Sequence, residues 1–252
     1  MSMTRKIPLL LVLLVSGNLF ATPSDERVQL SSGSKQVALI ELFTSEGCSS
    51  CPPADRWMSK LKADPDLWSE FTPIAFHVDY WDYIGWSDRF AQARFGDRQR
   101  RYAAEGAVGV VYTPGLFHNG SEWRGWRKNE AIAGEDREVG ELNLLVGGTD
   151  VSARFDAIQD NHGKLTLHVA VLGMDLETKV SAGENSARTL QHDFVALGVV
   201  TVQLNKTGSS YSAVTPLPEI SSAPLEQAIV AWVSTGDRQA PIQSVGGFLL
   251  SR

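Results

Sequence analysis

The sequence predicts an α/β domain followed by a β-sandwich-like domain, and three features carry that prediction. Apolar runs of strand length alternate with helical patterns as far as about residue 140. An Asn-Gly pair between short apolar runs marks a hairpin near the end of that segment. From Glu141 onward, alternating runs separated by turn residues and prolines show no long helical periodicity.

The first 21 residues have the layout of a secretory signal peptide: Arg5 and Lys6, the apolar stretch Ile7 to Val15, then small and polar residues, with cleavage expected near Ala21. The apolar core is about half of the roughly 20 residues a membrane span needs, so a mature protein without a membrane span, periplasmic or secreted, is expected. The formal charge is −6 and becomes more negative once Arg5 and Lys6 are removed. No basic run follows, which argues against a nucleic-acid partner.

After a polar lead-in to Lys35, Val37 to Phe43 reads as a buried parallel strand. The turn Thr44 to Gly47 leads to Cys48-Ser-Ser-Cys51. Pro52 and Pro53 suit the first turn of a helix, and Ala54, Trp57, Met58 and Leu61 follow at helical spacing before Asp64-Pro65 stops it. A second strand, Ile74 to Val78, ends in His77, Asp79, Tyr80, Trp81 and Asp82. A helix is predicted from Ser87 to about Glu105, capped by Ser87 or Asp88 and ended by Gly106. Val108 to Tyr112 leads into Thr113-Pro114, and Leu116 to His118 into Asn119-Gly120. The boundaries predicted are therefore 36–140 for the α/β domain and 141–252 for the β-rich one, whose strands include Val151 to Phe155, Leu165 to Leu172, Phe194 to Leu204 and Ala228 to Val233.

The two cysteines, two residues apart, cannot staple a fold together. At a helix entrance, backbone N–H groups and the helix dipole favour a thiolate, which makes Cys48 the exposed attacking sulfur and Cys51 the resolving one. A static disulfide and half of a metal site are the alternatives, but a structural zinc site wants four ligands and the chain offers no second pair. Glu41 interrupts an apolar strand, where it either exchanges a proton with Cys51, faces solvent or pairs with an arginine. His77 and Asp79 alternate at a strand end, placed to tune the thiols, to hold copper with the cysteines, or to serve as hydrogen-bonded structural residues. His162, His168 and His192 show no ligand spacing.

The stretch Glu41 to Asp55 (ELFTSEGCSSCPPAD), with His77 to Asp82, Arg98-Gln99, Tyr102, Tyr112 to Pro114 and Gly183 to Asn185, resembles the secreted thioredoxin-like proteins grouped as domain of unknown function 1223. The resemblance runs from about Val37 to the C-terminus. It implies a thioredoxin-like α/β domain followed by a β-sandwich-like C-terminal domain, and no established activity. Thioredoxin-fold enzymes carry a cis-proline opposite the active disulfide, and Thr113-Pro114 stands where that residue belongs; an ordinary turn proline is the alternative. Two departures stand out. The double proline disfavours helical geometry at Cys51, which would start the helix later. The interval from Cys51 to Pro114 is long and holds Trp81, Tyr83, Trp86, Phe90 and Phe95, a substrate groove or ordinary packing.

The function expected from this reading is thiol–disulfide exchange on exported protein or peptide thiols, with a redox partner protein and no bound cofactor or metal. Cys48 attacks, Cys51 resolves, and Thr113 and Pro114 shape the binding edge, with Glu41 as the candidate proton carrier. A non-catalytic binding protein with a structural disulfide, or a copper-handling protein, are the rivals.

Overall fold

The computed structural model describes residues 27–159, 162–221, 224–236 and 238–249; the segment whose sequence predicts a signal peptide lies outside them. Strands β1 (Val28–Ser31) and β2 (Ala38–Thr44) precede the cysteine loop and helix α1 (Pro52–Lys60). Strand β3 (Phe71–His77) is followed by helix α2 (Ala93–Ala104) and the hairpin β4 (Gly115–His118) and β5 (Ser121–Glu122). Ten further strands complete the chain: β6 (Gly140–Gly147), β7 (Asp150–Ala157), β8 (Leu165–Gly173), β9 (Leu176–Lys179), β10 (Thr189–His192), β11 (Val195–Gln203), β12 (Asn205–Thr207), β13 (Ser210–Pro216), β14 (Gln227–Thr235) and β15 (Pro241–Leu249).

These strands correct the predicted fold class. The chain is mostly β, and its largest sheet has eight strands in the order β15-β14-β8-β11-β3-β2-β4-β5, drawn from both parts of the sequence. An α/β thioredoxin-like domain followed by a β-sandwich-like one is not what forms. β11 joins the sheet by a parallel pairing with β3 at Val195 and Ala75, and an antiparallel ladder with β8. A second, five-stranded sheet, β1-β6-β7-β13-β12, is antiparallel throughout.

The physical reason lies in β14. Its residues alternate between two cores: Ala228, Val230 and Trp232 belong to the core around the helices, while Ile229, Ala231 and Val233 pack against Leu142, Leu144, Val151 and Phe155 of the five-stranded sheet. A strand apolar on both faces must be covered on both, so it becomes a shared middle layer. Run length predicted these strands; it carried no information about which neighbours they would choose.

Helix α1 starts at Pro52 with Cys51 already in helical geometry, so the double proline does not delay it. The helix predicted from Ser87 is also corrected: α2 begins at Ala93 after an extended Gln92. Asp88 does not cap it, because its carboxylate accepts from the N–H groups of Glu46 and Phe90 and bonds His77 instead.

The Asn119-Gly120 turn forms as the dipeptide predicts, with both residues at positive φ. A Cβ on Gly120 would stand 2.6 Å from Ala240 Cβ. Gly120→Ala is therefore expected to lose about 1–3 kcal/mol, read from the urea midpoint. No helix among the described residues is long and apolar enough to cross a membrane.

Candidate functional site

Cys48 and Cys51 form a disulfide between the end of β2 and α1, with Cα atoms 5.4 Å apart. The loop is held by its own backbone: Cys48 N–H donates to Ser45 O, and Cys51 N–H to Cys48 O. The Ser50 hydroxyl lies 3.3 Å from Cys48 Sγ. With prolines at the first two helical positions, that hydroxyl stands in for the N–H groups a helix entrance would otherwise offer.

The expected exposure of Cys48 is corrected. It is 1% exposed and Cys51 is fully buried; only Ser49 and Ser50 reach the surface. The cover comes from the segment joining β9 to β10, far along the chain. Asn185 donates to the carbonyls of Glu46 and Cys48, and the Glu184 carboxylate accepts from Ser49 N–H at 3.1 Å. That contact with Ser49 holds Glu184 below the usual carboxylate range. Gly183 to Asn185 was singled out by the family resemblance alone, because no local pattern ties it to the cysteines.

Thr113-Pro114 is cis. The β2–β4 register sets Gly115 opposite Phe43, so this dipeptide runs beside the end of the strand that enters the cysteine loop. Trp81 joins the two: its indole N–H donates to Thr113 Oγ1 at 2.7 Å, and its Cβ lies against Gly47. Of the other aromatics in the long interval, Phe90 and Phe95 are core, Trp86 donates to Glu46, and Tyr83 is exposed and stacked on Trp81.

Glu41 lies away from this chemistry. It is fully buried and bonded to Arg98 Nε at 2.5 Å and to the Tyr102 hydroxyl, both on α2. Alternation along β2 puts Glu41 on that face and Thr44 on the opposite one, with α1.

The α1 face instead carries a buried polar cluster that sequence reasoning reached only in part. Asp55, one turn after Cys51, accepts from Thr44 at 2.7 Å. His77 bonds Asp88 at 2.6 Å, and the rings of His77 and His192 meet at 4.8 Å. His192 lies 3.5 Å from Glu46 Oε1 and 3.9 Å from Asp55 Oδ2, without a hydrogen bond to either ring nitrogen among the described residues. His192 arrives on β10, so its long-range placement left no spacing to read. Asp79, by contrast, is only half-buried. No group of three or more His, Cys, Asp or Glu among the described residues is arranged to hold a metal ion.

Burial pushes Asp55 up, opposed by His192, His77 and Thr44. Burial would lower His77, but the charge and hydrogen bond of Asp88, with Asp55 and Glu46, raise it. A raised histidine stabilises the fold fully below its unfolded value of about 6.5, and that contribution is lost as pH rises through the folded value. His168 has the opposite sign: burial and the charges of Arg98 and Arg101 push it down to about 3, so it destabilises the fold as pH falls below about 6.5. The expected result is that the stability difference between wild type and His77→Gln, from urea titrations, is largest at mildly acidic pH and shrinks toward alkaline pH.

Residues 39–234 match the family model described as "Protein of unknown function (DUF1223)". The chain belongs to this family. Comparison with curated proteins gives no match. Among solved structures it is similar to the crystal structure of a protein from Agrobacterium tumefaciens, with 22% identity, a TM-score of 0.59, and coverage of 86% of this chain and 96% of that one. It is also similar to HBP35 of Porphyromonas gingivalis, with 16% identity, a TM-score of 0.60, and coverage of 85% and 76%. At these identities the likeness is one of fold.

Proposed function

We propose that Cys48 and Cys51 carry out thiol–disulfide exchange with thiols and disulfides of exported proteins or peptides, cycled by a redox partner protein. The observation that carries this reading is the pair's position at the entrance of α1, with a hydroxyl on Cys48 and the buried Asp55 carboxyl one turn beyond Cys51. In the reductive direction, Cys48 thiolate attacks a substrate disulfide, and the departing substrate sulfur takes up a proton. Cys51 thiol then gives its proton to the Asp55 carboxylate and attacks Cys48 Sγ, releasing the second substrate thiolate. The substrate gains two electrons and the pair is oxidised; the reverse sequence oxidises a dithiol. Pro114 and Thr113 edge the loop where a substrate segment would pair. With both cysteines buried, the loop that Glu184 and Asn185 hold by its backbone must open before exchange.

The same burial favours one second reading, a structural disulfide in a non-catalytic binding protein. Trapping separates the two. Reduced Cys51→Ser mixed with a disulfide-containing peptide is expected to accumulate a mixed disulfide at Cys48, seen by mass, whereas Cys48→Ser forms none. Failure of both variants to form an adduct in the native state supports the structural disulfide.

A further inference from the structure

We propose that the cleft between α2 and the exposed face of β8, β11 and β14 binds a small organic anion, a carboxylate or phosphate ester carried on a flat apolar body. The cleft encloses about 620 Å³, within the range of roughly 300–1,000 Å³ usual for small-molecule sites. It is on the α2 side of the large sheet, lined by residues the cysteine chemistry does not use.

Its floor is aromatic and fixed. Trp232 is buried and stacks on His168 with centroids 4.8 Å apart and planes 10° from parallel. Both ring nitrogens of His168 are engaged, Nδ1 with Thr201 and Nε2 with Ser234, each at 3.0 Å. Trp232 backs the half-buried His168 ring, which is the flat π surface a ligand would meet, and it carries no charge at neutral pH.

Its walls are cationic. Arg94, Arg98, Arg101 and Arg238 line the cleft, and no aspartate or glutamate lines it among the described residues. A chain of net charge −6 gathers four guanidinium groups here, three of them without a carboxylate partner among the described residues. Arg98 is answered from behind by Glu41. Arg94 is partly desolvated, which lowers its pKa, and it donates to the Val199 carbonyl and the Gln92 side-chain oxygen, both neutral. Arg101 and Arg238 make no ion pair with a described carboxylate and are exposed at the rim. Guanidinium groups above an aromatic floor are complementary to a planar anion: its ring stacks, and its oxygens take paired N–H donors.

The probe is 1-naphthyl phosphate, titrated into the full-length oxidised protein by calorimetry, with 2-naphthoate and neutral 1-naphthol as companion ligands. Saturable binding of one or both anions is expected, with 1-naphthol at least about tenfold weaker, and the stronger anion identifies phosphate or carboxylate as the favoured group. Arg101→Gln/Arg238→Gln, whose exposed side chains leave the fold's core untouched, is expected to weaken the anion at least about tenfold with an unchanged urea midpoint. Saturable binding that the double variant leaves unchanged, equal affinity for 1-naphthol, or no binding at millimolar ligand would each overturn the proposal.

Discussion

Arg98→Met is expected to cost about 3–5 kcal/mol of folding stability, the range found when one partner of a buried ion pair is removed. Glu41 is fully buried in β2, and its carboxylate is satisfied by Arg98 and Tyr102. Arg98 in turn donates to the side chain and carbonyl of Gln239 and lies 5.0 Å from the centre of the Trp232 ring. Without the guanidinium, Tyr102 remains as the carboxylate's partner on α2, and the buried carboxylate has lost its counter-charge. Glu41→Leu/Arg98→Met, which removes both charges, is expected to recover most of the loss. A single-variant cost below about 1 kcal/mol in urea unfolding would show that the pair does not hold α2 to the sheet.

Asp55→Asn is expected to slow thiol–disulfide exchange by about 10²-fold or more near neutral pH, the usual contribution of a placed proton donor or acceptor. Cys51 has no solvent to receive its proton, and Asp55 lies one turn along the same helix with its pKa raised by burial. The protonated form dominates to higher pH than for a surface aspartate, so the group can return a proton to Cys51 when the mixed disulfide reopens. The readout is the pH profile of the resolving step in stopped-flow kinetics. A structural role would scale the whole profile down; a proton-transfer role removes the limb belonging to Asp55.

Local features of this protein were legible where the chemistry is local. The buried strand before the cysteines, the Pro52-Pro53 helix start and the Asn119-Gly120 hairpin each rest on a few adjacent residues. The sheet was not legible, because β8, β11 and β14 carry apolar residues on both faces and so fit a sandwich and a shared middle layer equally well. The same limit applied to the site. Glu41 was visible as a charge within an apolar strand, but its partner Arg98 comes 57 residues later. Asn185 and His192 reach the cysteine loop only through the β9–β10 hairpin, so no spacing near Cys48 announced them.

The reduction potential of the Cys48–Cys51 pair tests the exchange reading most directly. It is measured by equilibrating the native protein with glutathione buffers and counting free thiols with an alkylating mass tag. The account predicts a value between about −120 and −270 mV, the span of known dithiol exchangers, reached on a timescale of minutes. A value below about −300 mV, with exchange that is complete only after unfolding, would contradict it and mark the disulfide as structural.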